Sequence, residues 1–266
     1  MIPNTLHQPI AVFDAGIGSY AIVAEIQRQL PNQDIIYLAD RASFPYGDKS
    51  PDALSLIMQK TLRFLEEFNP SAIVVASNAP SITVLEAIRP MTRTPLFGVF
   101  PPLKEAISRS QSGKVGIMGV RALVESEMLR NFVSNNSTSV ENVALLDASS
   151  MVELVESGTF LFDPARTQAK VQAFVEDIFK KAPTLDVLTL SSTHLPWLKP
   201  FFERARPQCH FLDPAENIVA SLGEGTAGSG IVKTLVSEDE RYSVDDFHQM
   251  LFQLGVDLPL EVVEVT

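Results

Sequence analysis

DVLTLSSTHLPWL, residues 186–198, is the stretch on which the fold turns. An apolar run too short for a helix breaks into two serines, a threonine, a histidine and a proline. That pattern reads as the end of a buried strand opening onto a helix. IVVASNAPSITVL, residues 73–85, makes the same passage, from apolar strand through Ser77-Asn78 and a proline to a second apolar segment. Strands that are apolar throughout, rather than alternating, suit a parallel sheet covered by helices on both faces.

Working outward from these two, short β-rich runs alternate with segments of helical period. Strands are expected at 10–13, 35–38, 72–76, 96–99, 114–118, 143–146, 186–190 and 209–212. Between them Leu54, Ile57, Met58, Leu62, Leu65 and Phe68 recur at spacings of three and four, which makes an amphipathic helix. Pro51 sits in its first turn, where a missing N–H costs little. Ile22, Val23, Ile26 and Leu30 form a shorter helix stopped by Pro31. The fold class is α/β with mostly parallel sheets.

The strands fall into two sets of similar logic. AVFDAGIGS (11–19) and KVGIMGVRALVES (114–126) each run strand, glycine turn, helix. AIVVASNAPS (72–81) and DVLTLSSTHLP (186–196) each run buried strand, serine cluster, proline. Two related lobes are therefore expected, one from 1–97 with 212–266 and one from 98–211. A ligand cleft is expected where their strand ends meet, the usual site of open parallel sheets. The glycine-rich GEGTAGSG (223–230) follows no expected strand, and is read as a flexible connection rather than a phosphate loop.

Net charge is −11 with no lysine or arginine run, so a nucleic-acid backbone is an unfavourable partner. No apolar run approaches the roughly 18 residues of a membrane span, and the N-terminal residues show no secretory pattern. A cytoplasmic protein is expected. One cysteine, Cys209, rules out an internal disulfide and any multi-cysteine zinc site. Four scattered histidines give no metal-ligand spacing.

Candidate chemistry gathers in four places. In FDAGIGS, Asp14 closes the first strand and Gly16 and Gly18 turn the backbone into a helix, whose free N–H groups attract an anion. Asp14 is equally readable as a helix cap. The third glycine of a dinucleotide fingerprint is missing, although Asp40 ends the second strand. In DRASFPYGDKSP (40–51), Tyr46 and Gly47 could wall a small polar pocket. Asn78 brings an amide, and Thr193 and His194 a hydroxyl and a titratable imidazole. His194 stands better placed than His7, His210 or His248. Neither serine lies in a G-x-S-x-G elbow, and no acidic partner for a Ser-His pair can be assigned from sequence.

In this order the clusters resemble the aspartate/glutamate racemase family, and within it the glutamate racemases most closely. The pieces that carry the resemblance run from 11 to 51, then IVVASNAPS, KVGIMGV, MVELVESG, LTLSSTHLPWL and FLDPAENIVASL, across the whole chain. The resemblance implies two flavodoxin-like lobes related by a pseudo-twofold axis, no cofactor, and a small amino dicarboxylate as ligand. It places Asp14, Ala15, Tyr46, Gly47, Asn78, Ala79, Thr193 and His194 at ligand-binding positions, with Glu156 an acidic neighbour. It implies an isomerase of peptidoglycan synthesis and cell-wall biogenesis, with a second copy of the chain as a candidate protein partner. Members of the family use two cysteines, one removing the α-proton and the other protonating the opposite face of Cα. Here Ser77 and Ser192 stand at those positions, so they are the catalytic candidates, with Asp14 and His194 as helper bases.

A free thiol ionises near 8.5 and a hydroxyl near water's 15.7. Forming an alkoxide therefore costs about 10 kcal/mol more than forming a thiolate, at ~1.4 kcal/mol per pK unit. Ala15, Ser19, Ala79 and Pro80 depart from the family pattern as well, which points to natural divergence rather than two engineered replacements. A hydrolase or lyase acting on a small carboxylate, and a non-catalytic ligand-binding or regulatory protein, are the alternatives.

Overall fold

The computed structural model describes residues 6–225, 228–238 and 243–266. Its strands are β1 (Ile10–Asp14), β2 (Ile35–Asp40), β3 (Ala72–Val75), β4 (Leu96–Gly98), β5 (Val115–Gly119), β6 (Val143–Asp147), β7 (Val187–Leu190), β8 (His210–Leu212), β9 (Val232–Ser237) and β10 (Leu260–Val262). The chain divides into two compact units, Met1–Val99 with Ala215–Thr266, and Phe100–Pro214.

The first unit holds a parallel sheet in the order β10-β9-β2-β1-β3-β4. β1, β2 and β3 are buried along their whole length, as continuous apolar runs require. Ala11, Phe13, Ile36, Leu38, Ile73 and Val75 point to one face. There they pack with Leu54, Met58, Leu62 and Leu65 of the helix Pro51–Glu66. That helix starts as its sequence directs: Ser50 accepts from the Ala53 N–H at 3.3 Å, with Pro51 in the first turn. β9 and β10 escaped the sequence reading. IVKTLV carries a lysine in mid-run, and β10 is a three-residue edge strand; pairing with β2 makes β9 a strand.

The second unit holds a parallel sheet in the order β6-β5-β7-β8. A Cβ on Gly116 would come within 2.5 Å of Leu188 Cδ2 and 2.9 Å of Leu146 Cδ1, so glycine lets the neighbouring strands' leucines close over β5. Each unit thus presents its strands' C-terminal ends along one edge of a parallel sheet.

The opposite edge of each sheet is tied by an aspartate. Asp34, just before β2, accepts the N–H of His7 at 2.8 Å, of Ser229 at 2.8 Å and of Ile231 at 3.0 Å. Gly228 and Gly230 also donate their N–H groups to Asn32 O. Residues 228–230 are therefore a fitted wrap around a carboxylate rather than the flexible connection expected. Gly230, at φ +69°, packs against Pro31 O. Thr226 and Ala227 of that stretch lie outside the described residues. In the second unit Asp186, before β7, accepts from Ser110 Oγ at 2.6 Å, Gln111 N at 2.7 Å and Ser112 N at 2.8 Å.

Burial alone would raise both carboxyls, but the converging donors outweigh it and hold each below its ordinary value. A depressed folded pKa contributes stability above the unfolded value, roughly 3.9, and loses it as pH falls through the folded value. Asp34→Asn should therefore unfold at lower urea concentration at pH 7, with the gap to the parent chain narrowing as pH drops below about 4. A constant gap from pH 7 to pH 3 would show that the charge of Asp34 contributes nothing.

Candidate active site

The polar residues singled out in the sequence lie at or just beyond the C-terminal ends of strands. In the first unit, Asp14 ends β1 and Asp40 ends β2, both buried. The Tyr46 hydroxyl donates to Asp40 Oδ2 at 2.9 Å, and Ser237 Oγ donates to Asp40 Oδ1 at 2.7 Å. Burial, then the Asp40 and Asp14 carboxylates, push the Tyr46 phenol well above its ordinary pKa. Tyr46 is thus a neutral donor, seated in a short turn with Gly47. Asp40 is occupied in holding it, which removes the acidic residue a ribose site would want. Arg41 is buried as well, lying over the rings of Phe44 and Phe247 at 5.5 and 5.3 Å and donating to Ala15 O at 3.4 Å.

Two of the residues expected to depart from the family pattern are accommodated locally. Ser19 is fully buried, its hydroxyl 2.9 Å from both Gly16 O and the Tyr37 hydroxyl, so the extra oxygen is satisfied internally. Pro80 lies in the first turn of the helix Asn78–Thr83, where its missing N–H is not needed. Ala79 precedes it, and Ala15 is buried beside Asp14.

Ser77 stands at the N-cap of that helix in extended conformation, yet its side chain makes no cap bond. Its carbonyl is engaged instead, accepting from Ser81 Oγ at 2.6 Å and Ser81 N at 3.2 Å. Asn78 is 2% exposed. Its Nδ2 donates to Val99 O at 3.0 Å, while its Oδ1 is buried with no hydrogen-bond partner among the described residues. An orphaned amide oxygen costs about 1–3 kcal/mol, so this position suits an incoming donor such as an ammonium group. Sequence reasoning could not have found Val99 O or Ser237, because neither carries a motif.

In the second unit, Ser192, Thr193 and His194 follow β7 and are all buried. Ser192 Oγ lies 3.4 Å from His194 Nδ1, and His194 Nε2 lies 2.8 Å from Glu156 Oε2. A carboxylate at Nε2 selects the tautomer with its proton there, leaving the Nδ1 lone pair toward the serine hydroxyl. Glu156 is the acidic partner that the sequence alone could not assign. It is the last residue of the helix Ser149–Glu156, which stops because Gly158 turns left-handed at φ +71°.

Cys209 takes no part in this arrangement. It is 5% exposed, and burial, helped by Asp186, pushes its thiol up to about 12, far from a reactive thiolate. No described helix is long and apolar enough to cross a membrane.

The chain is similar to known proteins in both sequence and fold. The family model described as Asp/Glu/Hydantoin racemase matches residues 18–222. A glutamate racemase of Persephonella marina is 30% identical over 261 residues, covering 97% of each chain. Among solved structures, a glutamate racemase from Thermus thermophilus in complex with β-chloro-D-alanine superposes with TM-score 0.79 at 28% identity, covering 97% of each chain. A glutamate racemase isoform from Bacillus anthracis superposes with TM-score 0.83 at 25% identity, covering 97% of this chain and 98% of that one. Sequence and fold agree over nearly the full length, and the chain belongs to the Asp/Glu/hydantoin racemase family.

Proposed function

We propose that the protein binds glutamate or a similar small amino dicarboxylate and exchanges its α-hydrogen without a cofactor, with Ser77 and Ser192 where its relatives' chemistry calls for thiols. The observation that carries this reading is the full-length relationship to glutamate racemases. The buried polar set of Asp14, Tyr46, Asn78, Thr193 and His194 at strand ends supports it. Asn78 Oδ1 would receive a ligand donor, and Gly47, Ala15 and Ala79 would line the same positions. His194, backed by Glu156, is the helper base for Ser192; Asp14 is the candidate near Ser77 in the ligand-binding set. The same reading assigns the protein to the cytoplasm and to peptidoglycan synthesis, and proposes a homodimer, to be checked by light scattering.

Incubated with D- or L-glutamate in deuterated water, the protein should incorporate deuterium at Cα faster than a buffer control, as read by proton NMR. Folded protein that binds glutamate calorimetrically without any uptake would favour the non-catalytic binding reading instead. Absence of both binding and uptake for glutamate and aspartate would end the amino-dicarboxylate reading.

A further inference from the structure

We propose that Ser192, His194 and Glu156 form a hydroxyl–imidazole–carboxylate relay that makes Ser192 Oγ a nucleophile toward small carboxylic esters, giving this unit an acyl-transfer activity separate from α-hydrogen exchange. All three residues belong to the unit Phe100–Pro214, so the relay is complete within it.

Its geometry is that of an activated hydroxyl. The Ser192–His194 separation of 3.4 Å is loose, as such contacts commonly are without substrate, while the His194–Glu156 contact of 2.8 Å is tight. The His194 and Glu156 side chains are only 7% and 9% exposed, so the contact is shielded from water. Glu156 is the last residue of its helix, at the negative end of the helix dipole. Its carboxylate lies against His194 Nε2, where it can stabilise the imidazolium created when Ser192 loses its proton.

The chemistry balances with water as the only co-reactant. Ser192 Oγ bonds to the ester carbonyl carbon as its proton passes to His194 Nδ1, and Glu156 stabilises the imidazolium. The tetrahedral adduct collapses, breaking the bond to the alcohol oxygen, which leaves with the Nδ1 proton. Water then gives a proton to Nδ1 and attacks the acyl carbon. Ser192 Oγ departs and recovers its proton, and the acid is released. Ser192 and His194 act on the reacting atoms, whereas Glu156 is a positioning residue.

The test uses the full chain with diisopropyl fluorophosphate, which bonds to an activated serine as fluoride leaves, and with p-nitrophenyl acetate. Peptide mass mapping should locate the phosphoryl adduct on Ser192, formed at least tenfold faster than on the urea-unfolded chain and absent in Ser192→Ala. p-Nitrophenol should appear in a burst of about one equivalent per chain. Glu156→Gln, checked for folding by circular dichroism, should label at least tenfold more slowly because the carboxylate that stabilises the imidazolium is gone, and Glu156→Asp, which keeps a carboxylate, should recover part of that rate. Labelling of Ser192 no faster than in the unfolded chain, or a folded Glu156→Gln with unchanged rate, overturns the proposal. A chain that labels at Ser192 yet exchanges no α-hydrogen keeps the relay and loses the racemase reading; exchange without labelling does the reverse.

Discussion

Ser77→Cys combined with Ser192→Cys is expected to raise α-hydrogen exchange on glutamate by at least about a hundredfold over the parent chain. The hydroxyl and thiol pKa values differ by roughly 7 units. The stronger basicity of an alkoxide returns about half of that, following Brønsted behaviour. A gain of about a thousandfold is left, and imperfect seating of the larger sulfur reduces it. The two positions are unequal in their support. Ser192 already faces His194 Nδ1 at 3.4 Å, and a thiol there would be ionised further by an imidazolium. Ser77 makes no cap bond and has no such imidazole beside it in its own unit's described contacts. Each single variant should therefore exchange one enantiomer faster than the other, with Ser192→Cys the larger gain. NMR rates for both enantiomers in deuterated water, on chains matched for circular dichroism, measure this directly. A folded double variant no faster than the parent would mean that something other than the hydroxyls at 77 and 192 limits exchange.

Much of the candidate site was legible in the sequence, and the reason is local. A parallel strand must be apolar along its buried length and can become polar only where it leaves the sheet. Asp14, Ser77-Asn78 and Ser192-Thr193-His194 therefore announced themselves by position in the chain. What could not be read was which groups meet across the fold. Glu156 sits 38 residues from His194, Ser237 sits 197 from Asp40, and Ser229 sits 195 from Asp34. Each pairing follows from strand order and helix placement rather than from any motif. β9 is the clearest case: its lysine weakens the apolar pattern, and its position between β2 and β10 exists only in the assembled sheet. Residues 228–230 read as a flexible connection for the same reason, since glycines that wrap a distant carboxylate look like linker glycines in one dimension.

Phe202→Ala should be the most damaging single core truncation of the second unit, at about 3–5 kcal/mol. Phe202 is fully buried on the helix Lys199–Ala205, with its ring stacked on Phe211 at 5.4 Å and tilted toward Phe174 at 6.4 Å. It therefore joins three elements: its own helix, β8 and the helix Pro164–Lys181. Removing the ring leaves a cavity bounded by two other rings, and aromatic planes cannot collapse into it without breaking the sheet register below. The single tryptophan, Trp197, lies in the turn that runs from His194 into the same helix, so its fluorescence reports on this unit. With a typical urea slope of about 1–3 kcal/mol per molar, the midpoint should fall by more than about 1 M. Phe202→Leu, which keeps most of the volume, should cost clearly less. Neither change touches the Ser192–His194–Glu156 contacts. At urea concentrations well below the shifted midpoint, labelling of Ser192 should therefore stay within about twofold of the parent, since a residue outside a contact network usually contributes additively. A midpoint shift with labelling lost in step would mean that the seat of His194 depends on this aromatic stack, whereas a shift below about 0.5 M would show that the core refills the cavity at a cost far under the usual range.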